Sequence, residues 1–375
     1  MKKAYIFKKI TNNTDNCLII EDNKIIDTCQ SDYVDFLMDC EIVSDYENYI
    51  AMPGFIDCHM HGALGIDVST CTAEELVELA KGLYKHGVAA FMPTIPAAMP
   101  EQNKNTLKEI KKAMELTKDG DNMSLIIGCH MEGPFMCPKY KGALDENAFC
   151  DATVENWNEL TGEYADVVKR ITADPLCDGL IDMIPYFTEH NIQVSLGHTD
   201  ATADVIYEAF EKGATSVTHL YNAMSPLHHR EPGTVGAALS SDETYAEIIT
   251  DFLHVNPKAV KLAIKAKTPS KIAVITDSCQ AAGMPDGEYV LGGRLMYVIN
   301  GEARMPEGQL ASSTVFMDKE LKNLLYLGFN LDDCALMLST NPAYLSGIEC
   351  LGTLEPGKMA VISVVDNNGD LITVL

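Results

Sequence analysis

The side chains best suited to chemistry stand just past the ends of short apolar runs. Residues 55–57 lead into His59 and His61, and 125–129 into His130 and Glu132. Residues 194–196 lead into His198, 216–218 into His219, and 273–276 into Asp277. Imidazole and carboxylate are the ordinary ligands of a catalytic divalent ion such as zinc. In an extended His-x-His segment side chains alternate with period two, so His59 and His61 point the same way and can share one ion. An ion with an open position lowers the pKa of a bound water toward neutrality. Asp277 then reads as general base and acid, its structural alternative being the cap of a following turn. His86 and His190 fall in helical stretches, and His130 sits one step deeper than Glu132. We read these three as structural.

Groups this far apart in sequence meet only if the strand ends share one face. Helical spacing covers residues 73–86, 103–116, 179–190, 204–212 and 257–266. Thr72 is a plausible N-cap for the first, and Gly87 stops it. Each pattern is followed by a strand-like run: 89–94, 124–129, 193–196, 215–218 and 272–276. Repeated βα units imply a parallel sheet. The centre holds about eight such units, the number that closes a (β/α)8 barrel with its active site at the C-terminal strand ends. The chain ends differ. Runs at 3–10, 17–20, 24–28, 359–365 and 371–375 are short strands broken by polar turns. The expected organisation is therefore α/β: a barrel over 53–344 and one small β-sandwich domain built from 1–52 and 345–375.

Bulk properties narrow the partners. The 375 residues, 47% of them hydrophobic and 22% charged, can bury a sizeable core. A net charge of -26 repels a phosphate backbone, so no nucleic-acid partner is expected. No apolar run has the length of a membrane span. The N-terminal run Ala4 to Phe7 lies between Lys2-Lys3 and Lys8-Lys9, and we read no secretory signal. The 12 cysteines form no CxxC pair and read as reduced thiols of a cytoplasmic protein rather than zinc knuckles.

Several segments together carry a resemblance. PGFIDCHMHG (53–62), HMEGPF (130–135), SLGHTDA (195–201), THLYNAM (218–224), REPG (230–233) and TDSCQAAG (276–283) resemble N-acetylglucosamine-6-phosphate deacetylases of the amidohydrolase superfamily. LASSTVFMD (310–318) and the stretch from NPAYLSGI to LGTLEPGK (341–358) extend the match. The resemblance implies a (β/α)8 barrel, a homodimer, and removal of acetate from a 6-phosphorylated N-acetyl amino sugar. It makes Glu132, His198 and His219 ligands of the main ion, and His59 and His61 holders of a second. It makes Asp277 the catalytic acid and base. It gives sugar contacts to Ala143, Asn222 and Ala223, and phosphate contacts to Arg230 and His254. Arg230 is implied to act within its own chain or across the dimer interface. Residues Leu310, Ala311 and Ser312 match a loop lining the substrate. One or two divalent ions are implied, with zinc first and Fe, Mn or Co accepted by the same ligands.

Two departures from the family pattern concern the sugar. After HMEGPF the family has Lys-Gly-Ala-His or Lys-Gly-Thr-His, whereas this chain reads Lys141-Gly142-Ala143-Leu144. That histidine normally contacts the sugar, and leucine cannot hydrogen-bond. The substrate therefore stays open between gluco and galacto epimers, another N-acyl amino sugar, or a cyclic amide. The pair His228-His229 before Arg230 is also unusual; it either replaces the lost contact or is surface. A non-catalytic sugar-phosphate sensor is disfavoured, since it would need neither Asp277 nor the ligands.

Overall fold

The computed structural model describes residues 1–33, 37–118 and 120–375. Its centre is a parallel barrel of strands β1 (Phe55–Met60), β2 (Val88–Pro96), β3 (Cys129–Glu132) and β4 (Val168–Ala173), followed by β5 (Gln193–Leu196), β6 (Ser216–Val217), β7 (Tyr245–Ile248) and β8 (Ile272–Val274). Each pairs in parallel with the next, from β1 to β8. β1 is buried at every position and β2 at nearly every one, as strands covered on both faces should be. Asp57 closes the seam between β1 and β8. Its carboxylate accepts from the Thr276 hydroxyl at 2.5 Å and the Thr276 amide at 3.3 Å. The Asp277 amide donates to the His59 carbonyl at 2.9 Å.

The helices start and stop for local reasons. The first is Ala73–Tyr84, where Thr72 and Glu75 form a reciprocal capping box and Leu76, Leu79, Ala80 and Leu83 bury one face. The second begins at Pro100, three residues before the expected 103, because proline suits the first helical turn. The remaining expected helices are Leu180–Glu189, Ala203–Glu211 and Pro257–Lys267.

Two barrel strands escape the apolar reading, β4 and β7. β4 carries Arg170 and β7 carries Glu247, and charges interrupt both runs. The two charges are partners inside the barrel. Arg170 Nη2 lies 2.5 Å from Glu247 Oε1, and both side chains are fully buried. Arg170 also donates to Ser216 Oγ at 2.7 Å and the Leu345 carbonyl at 3.3 Å.

A second feature is absent from the sequence reading. After β8 the chain forms an antiparallel sheet of Gly287–Leu291, Arg294–Ile299, Glu302–Arg304 and Leu310–Ser312. The turn between its first two strands is Gly292-Gly293, with φ of 56° and 84°. Two consecutive positive φ values are what a tight type I′ hairpin needs, and glycine supplies them without a Cβ clash.

Both chain ends meet in a small two-sheet unit. One sheet orders Lys24–Cys29, Cys17–Glu21, Lys3–Ile6 and Glu41–Val43; the other orders Lys9–Ile10, Ile50–Pro53, Ile362–Val365 and Leu371–Val374. Leu18 and Ile25 of the first pack with Ile10, Ile362 and Val364 of the second. The molecule is thus a (β/α)8 barrel with a small β-sandwich made from both ends. Among the described residues, no helix is long and apolar enough to cross a membrane.

Candidate active site

The C-terminal strand ends deliver two groups of potential ligands to one place. His59, His61 and Asp277 form one group, and Glu132, His198 and His219 the other, the candidate ligand atoms of each lying within 4.8 Å of one another. All six side chains are buried. β1 supplies His59, the residue just after it is His61, β3 supplies Glu132, and the turns after β5, β6 and β8 supply His198, His219 and Asp277. These last three have positive φ, 53°, 31° and 48°. Such values are uncommon outside glycine and turn the side chains off the strand direction at a cost that the surrounding packing must offset.

Glu132 joins the two groups. Its Oε1 lies 3.1 Å from His198 Nε2 and 3.2 Å from His219 Nε2, while its Oε2 lies 3.4 Å from His61 Nε2. Asp277 Oδ1 lies 3.2 Å from His61 Nε2 and 3.6 Å from His59 Nε2.

Hydrogen bonds behind the rings orient their lone pairs. His198 Nδ1 is 2.8 Å from the Tyr140 carbonyl, and His61 Nδ1 is 3.1 Å from the Thr94 carbonyl. A carbonyl only accepts, so each Nδ1 carries a proton, and when such a ring is neutral its Nε2 lone pair turns inward. His59 Nδ1 faces Glu247 Oε2 at 3.3 Å in the same manner. His59 Nε2 is buried with no hydrogen-bond partner. Lone pairs and carboxylates therefore converge, an arrangement that repels itself unless positive charge enters. Burial works against the charged form of His61, yet Asp277 and Glu132 raise it to about 10. Protons or a divalent cation can meet that demand. The donor set of imidazoles and carboxylates, with His59, His61 and His198 held from behind, fits the cation.

A cavity of about 330 Å³ opens over these groups. His61, Glu132, His198, His219 and Asp277 lie in its lining; His59 lies behind them. Of the expected substrate contacts, Ala143, Asn222, Ala223, His254, Leu310 and Ala311 line it. His254 is fixed by Nδ1 on Asp251 Oδ2 at 2.7 Å. Ser312 is buried beneath, where its hydroxyl bonds the Asp277 carbonyl and approaches Asp277 Oδ1 at 3.5 Å. Arg230 is not brought to the cavity of its own chain. It is exposed, with Nη1 2.9 Å from His229 Nε2.

Of the histidines read as structural, His130 adjoins the site, its ring edge-on to His59 with centroids 4.6 Å apart, whereas His86 and His190 lie elsewhere. His130 is buried between Thr94 Oγ1 at 3.2 Å and Thr172 Oγ1 at 2.7 Å, and burial pushes its pKa well down. His86 stacks on Phe316, and His190 bonds the Tyr186 carbonyl at its helix end. The sequence reading missed Glu247 behind His59. A lone glutamate inside the short run Tyr-Ala-Glu-Ile was its only signal. It also missed Leu291, Gly292 and Arg294, which the inserted hairpin brings to the cavity wall.

Known proteins share this architecture. The model of the Amidohydrolase family, a metal-dependent group, matches residues 50–375. The chain is 33% identical over 327 residues to the N-acetylgalactosamine-6-phosphate deacetylase of Escherichia coli O157:H7, covering 87% of this chain and 86% of that one. It is 34% identical over 329 residues to the N-acetylglucosamine-6-phosphate deacetylase of Bacillus subtilis strain 168, covering 86% and 82%. The crystal structure of N-acetylglucosamine-6-phosphate deacetylase from Pasteurella multocida superposes with a TM-score of 0.91 at 29% identity, covering 100% of this chain and 98% of that one. The chain therefore belongs to the amidohydrolase family, in its group of N-acetylglucosamine-6-phosphate deacetylases.

Proposed function

We propose that this protein hydrolyses the acetamide of N-acetylglucosamine-6-phosphate, releasing acetate and glucosamine-6-phosphate in amino-sugar catabolism. The observation that carries the reading is Glu132 shared between two ligand groups on the floor of the cavity, with Asp277 beside them. Glu132, His198 and His219 hold the main ion, and His59 and His61 a second. Zinc is the first candidate, and metal analysis distinguishes it from Fe, Mn or Co. A bound divalent ion supplies polarisation of the amide carbonyl and a water acidic enough to ionise near neutral pH.

The chain's own groups do the rest. Asp277 accepts the proton of the attacking water and returns it to the sugar nitrogen. An amine leaves poorly until protonated, so this acid must be positioned before the bond breaks. Amide contacts on its backbone and the Ser312 hydroxyl hold it there. Asn222, Ala223, Leu310 and Ala311 shape the sugar site, and Ala143 flanks it. His254 and Arg230 bind the phosphate, whose remote binding energy orients the amide. Arg230 is exposed and outside its own chain's cavity, which supports its acting on the partner's substrate in a homodimer. Residues 1–52 and 345–375 form the small domain and 53–344 the catalytic one. A cytoplasmic setting suits free cysteines throughout.

Leu144 favours a second reading, the galacto epimer, because an apolar wall stands where the family histidine contacts the sugar. Purified, zinc-loaded protein should release acetate from at least one of the two epimers at a kcat/KM of roughly 10⁴ M⁻¹s⁻¹ or more. Absence of acetate from both would sink the proposal.

A further inference from the structure

Leu144 leaves the sugar ring without the donor its position usually supplies. Among the described residues, two Lys or Arg side chains line the cavity, Lys139 and Arg294. Lys139 is exposed and ion-paired with Asp200. Arg294 is about one-third exposed, and its nearest carboxylate, Glu307, stands 3.8 Å from Nη2. Its Nη1 donates to the Ala143 carbonyl at 2.7 Å, one residue before Leu144. A guanidinium carries several N–H donors in a planar fork, so one bond to Ala143 leaves others free.

The hairpin places this cation on a particular side. It leaves the barrel after β8 and folds back across the first strands. The Gly292 amide lies 3.3 Å from Asp67 Oδ2, in the segment after β1. A Cβ on Gly292 would meet Pro96, the last residue of β2, at 2.8 Å, so the tip is packed down. Arg294 then reaches Ala143 beyond β3. Asn222 and His254 follow β6 and β7, across the barrel. With the phosphate on that side and the acetamide over the floor, the groups left for Arg294 are ring hydroxyls.

Resting on the deacetylase reading, we propose that Arg294 is a specificity-determining residue that donates to hydroxyl oxygens of the amino-sugar ring, in place of the contact Leu144 cannot make. A donor fixed to one wall senses the configuration of a hydroxyl, because inverting that carbon moves the oxygen out of line. The test is steady-state kinetics of wild type, Arg294→Met and Arg294→Lys on both 6-phosphorylated epimers. Arg294→Met should lower kcat/KM for the preferred epimer roughly 10- to 100-fold, mainly through KM, as expected for loss of a charged hydrogen bond. The other epimer should lose at least about tenfold less, so the epimer ratio shrinks. Arg294→Lys keeps the charge without the fork and should fall between. Equal losses on both epimers, or no loss, would overturn the assignment. If Arg294→Met does not fold, Arg294→Lys decides: wild-type KM and epimer ratio would reject it. Failure of the wild type to release acetate from either epimer would instead overturn the deacetylase reading itself.

Discussion

Two sets of buried charge lie inside one barrel and are solved differently. Arg170 and Glu247 answer each other at 2.5 Å, with Ser216 and the Leu345 carbonyl taking further donors. That set is closed, in the sense that cation and anion both come from the chain. The set above it is open. His59, His61, Glu132, His198, His219 and Asp277 turn lone pairs and carboxylate oxygens toward one another. His59 touches both sets, with Nδ1 on Glu247 and Nε2 toward Asp277. The difference separates structure from function: a closed set holds the barrel, whereas an open set asks for a ligand.

Breaking the closed set should produce the largest stability change. Arg170→Met leaves Glu247 buried without its cation and should cost about 3–5 kcal/mol, read by denaturant unfolding. A loss under about 1 kcal/mol would mean that the pair is not what balances Glu247. Breaking the open set should spare stability and cost function. His59→Ala should lower the bound metal from two ions to one per chain by elemental analysis and slow turnover roughly 10- to 100-fold. An unchanged ion count would remove His59 from the ligands.

Glu320 sharpens the comparison most gently. It is a buried carboxyl outside both sets, bonded by Thr250 through one oxygen, with its other oxygen unpartnered. Burial, then the nearby Asp251, raises its pKa well above the usual range. The folded protein thus keeps a proton that the unfolded chain releases. Stability should fall as pH rises from the ordinary glutamate range toward the raised folded value. Glu320→Gln should flatten that part of the Tm-versus-pH curve. A slope that survives the substitution would assign it to another group.

Much of this was legible at the level of residues. His59, His61, Glu132, His198, His219 and Asp277 were found because each follows a short strand-like run within a repeated βα pattern. β4 and β7 were missed for the opposite reason. Arg170 and Glu247 make them look like exposed segments, and only the closed barrel shows that the charges meet. The cavity wall was harder still. Leu144 was visible as a departure from a motif, but its surroundings depend on a hairpin about 150 residues downstream. Nothing local in the sequence of that hairpin says which strand ends it will cross. Arg230 marks a further limit, since one chain does not bring it to its own cavity.

The central claim is that the open set is a catalytic centre in which Asp277 moves the proton. The direct measurement is acetate release by metal-loaded wild type and Asp277→Asn, with the metal content of both determined. Asparagine keeps the shape and removes the base, so turnover should fall roughly 10²–10⁴-fold while Glu132, His198 and His219 still hold their ion. Turnover within a few-fold of wild type, at equal metal content, would contradict it.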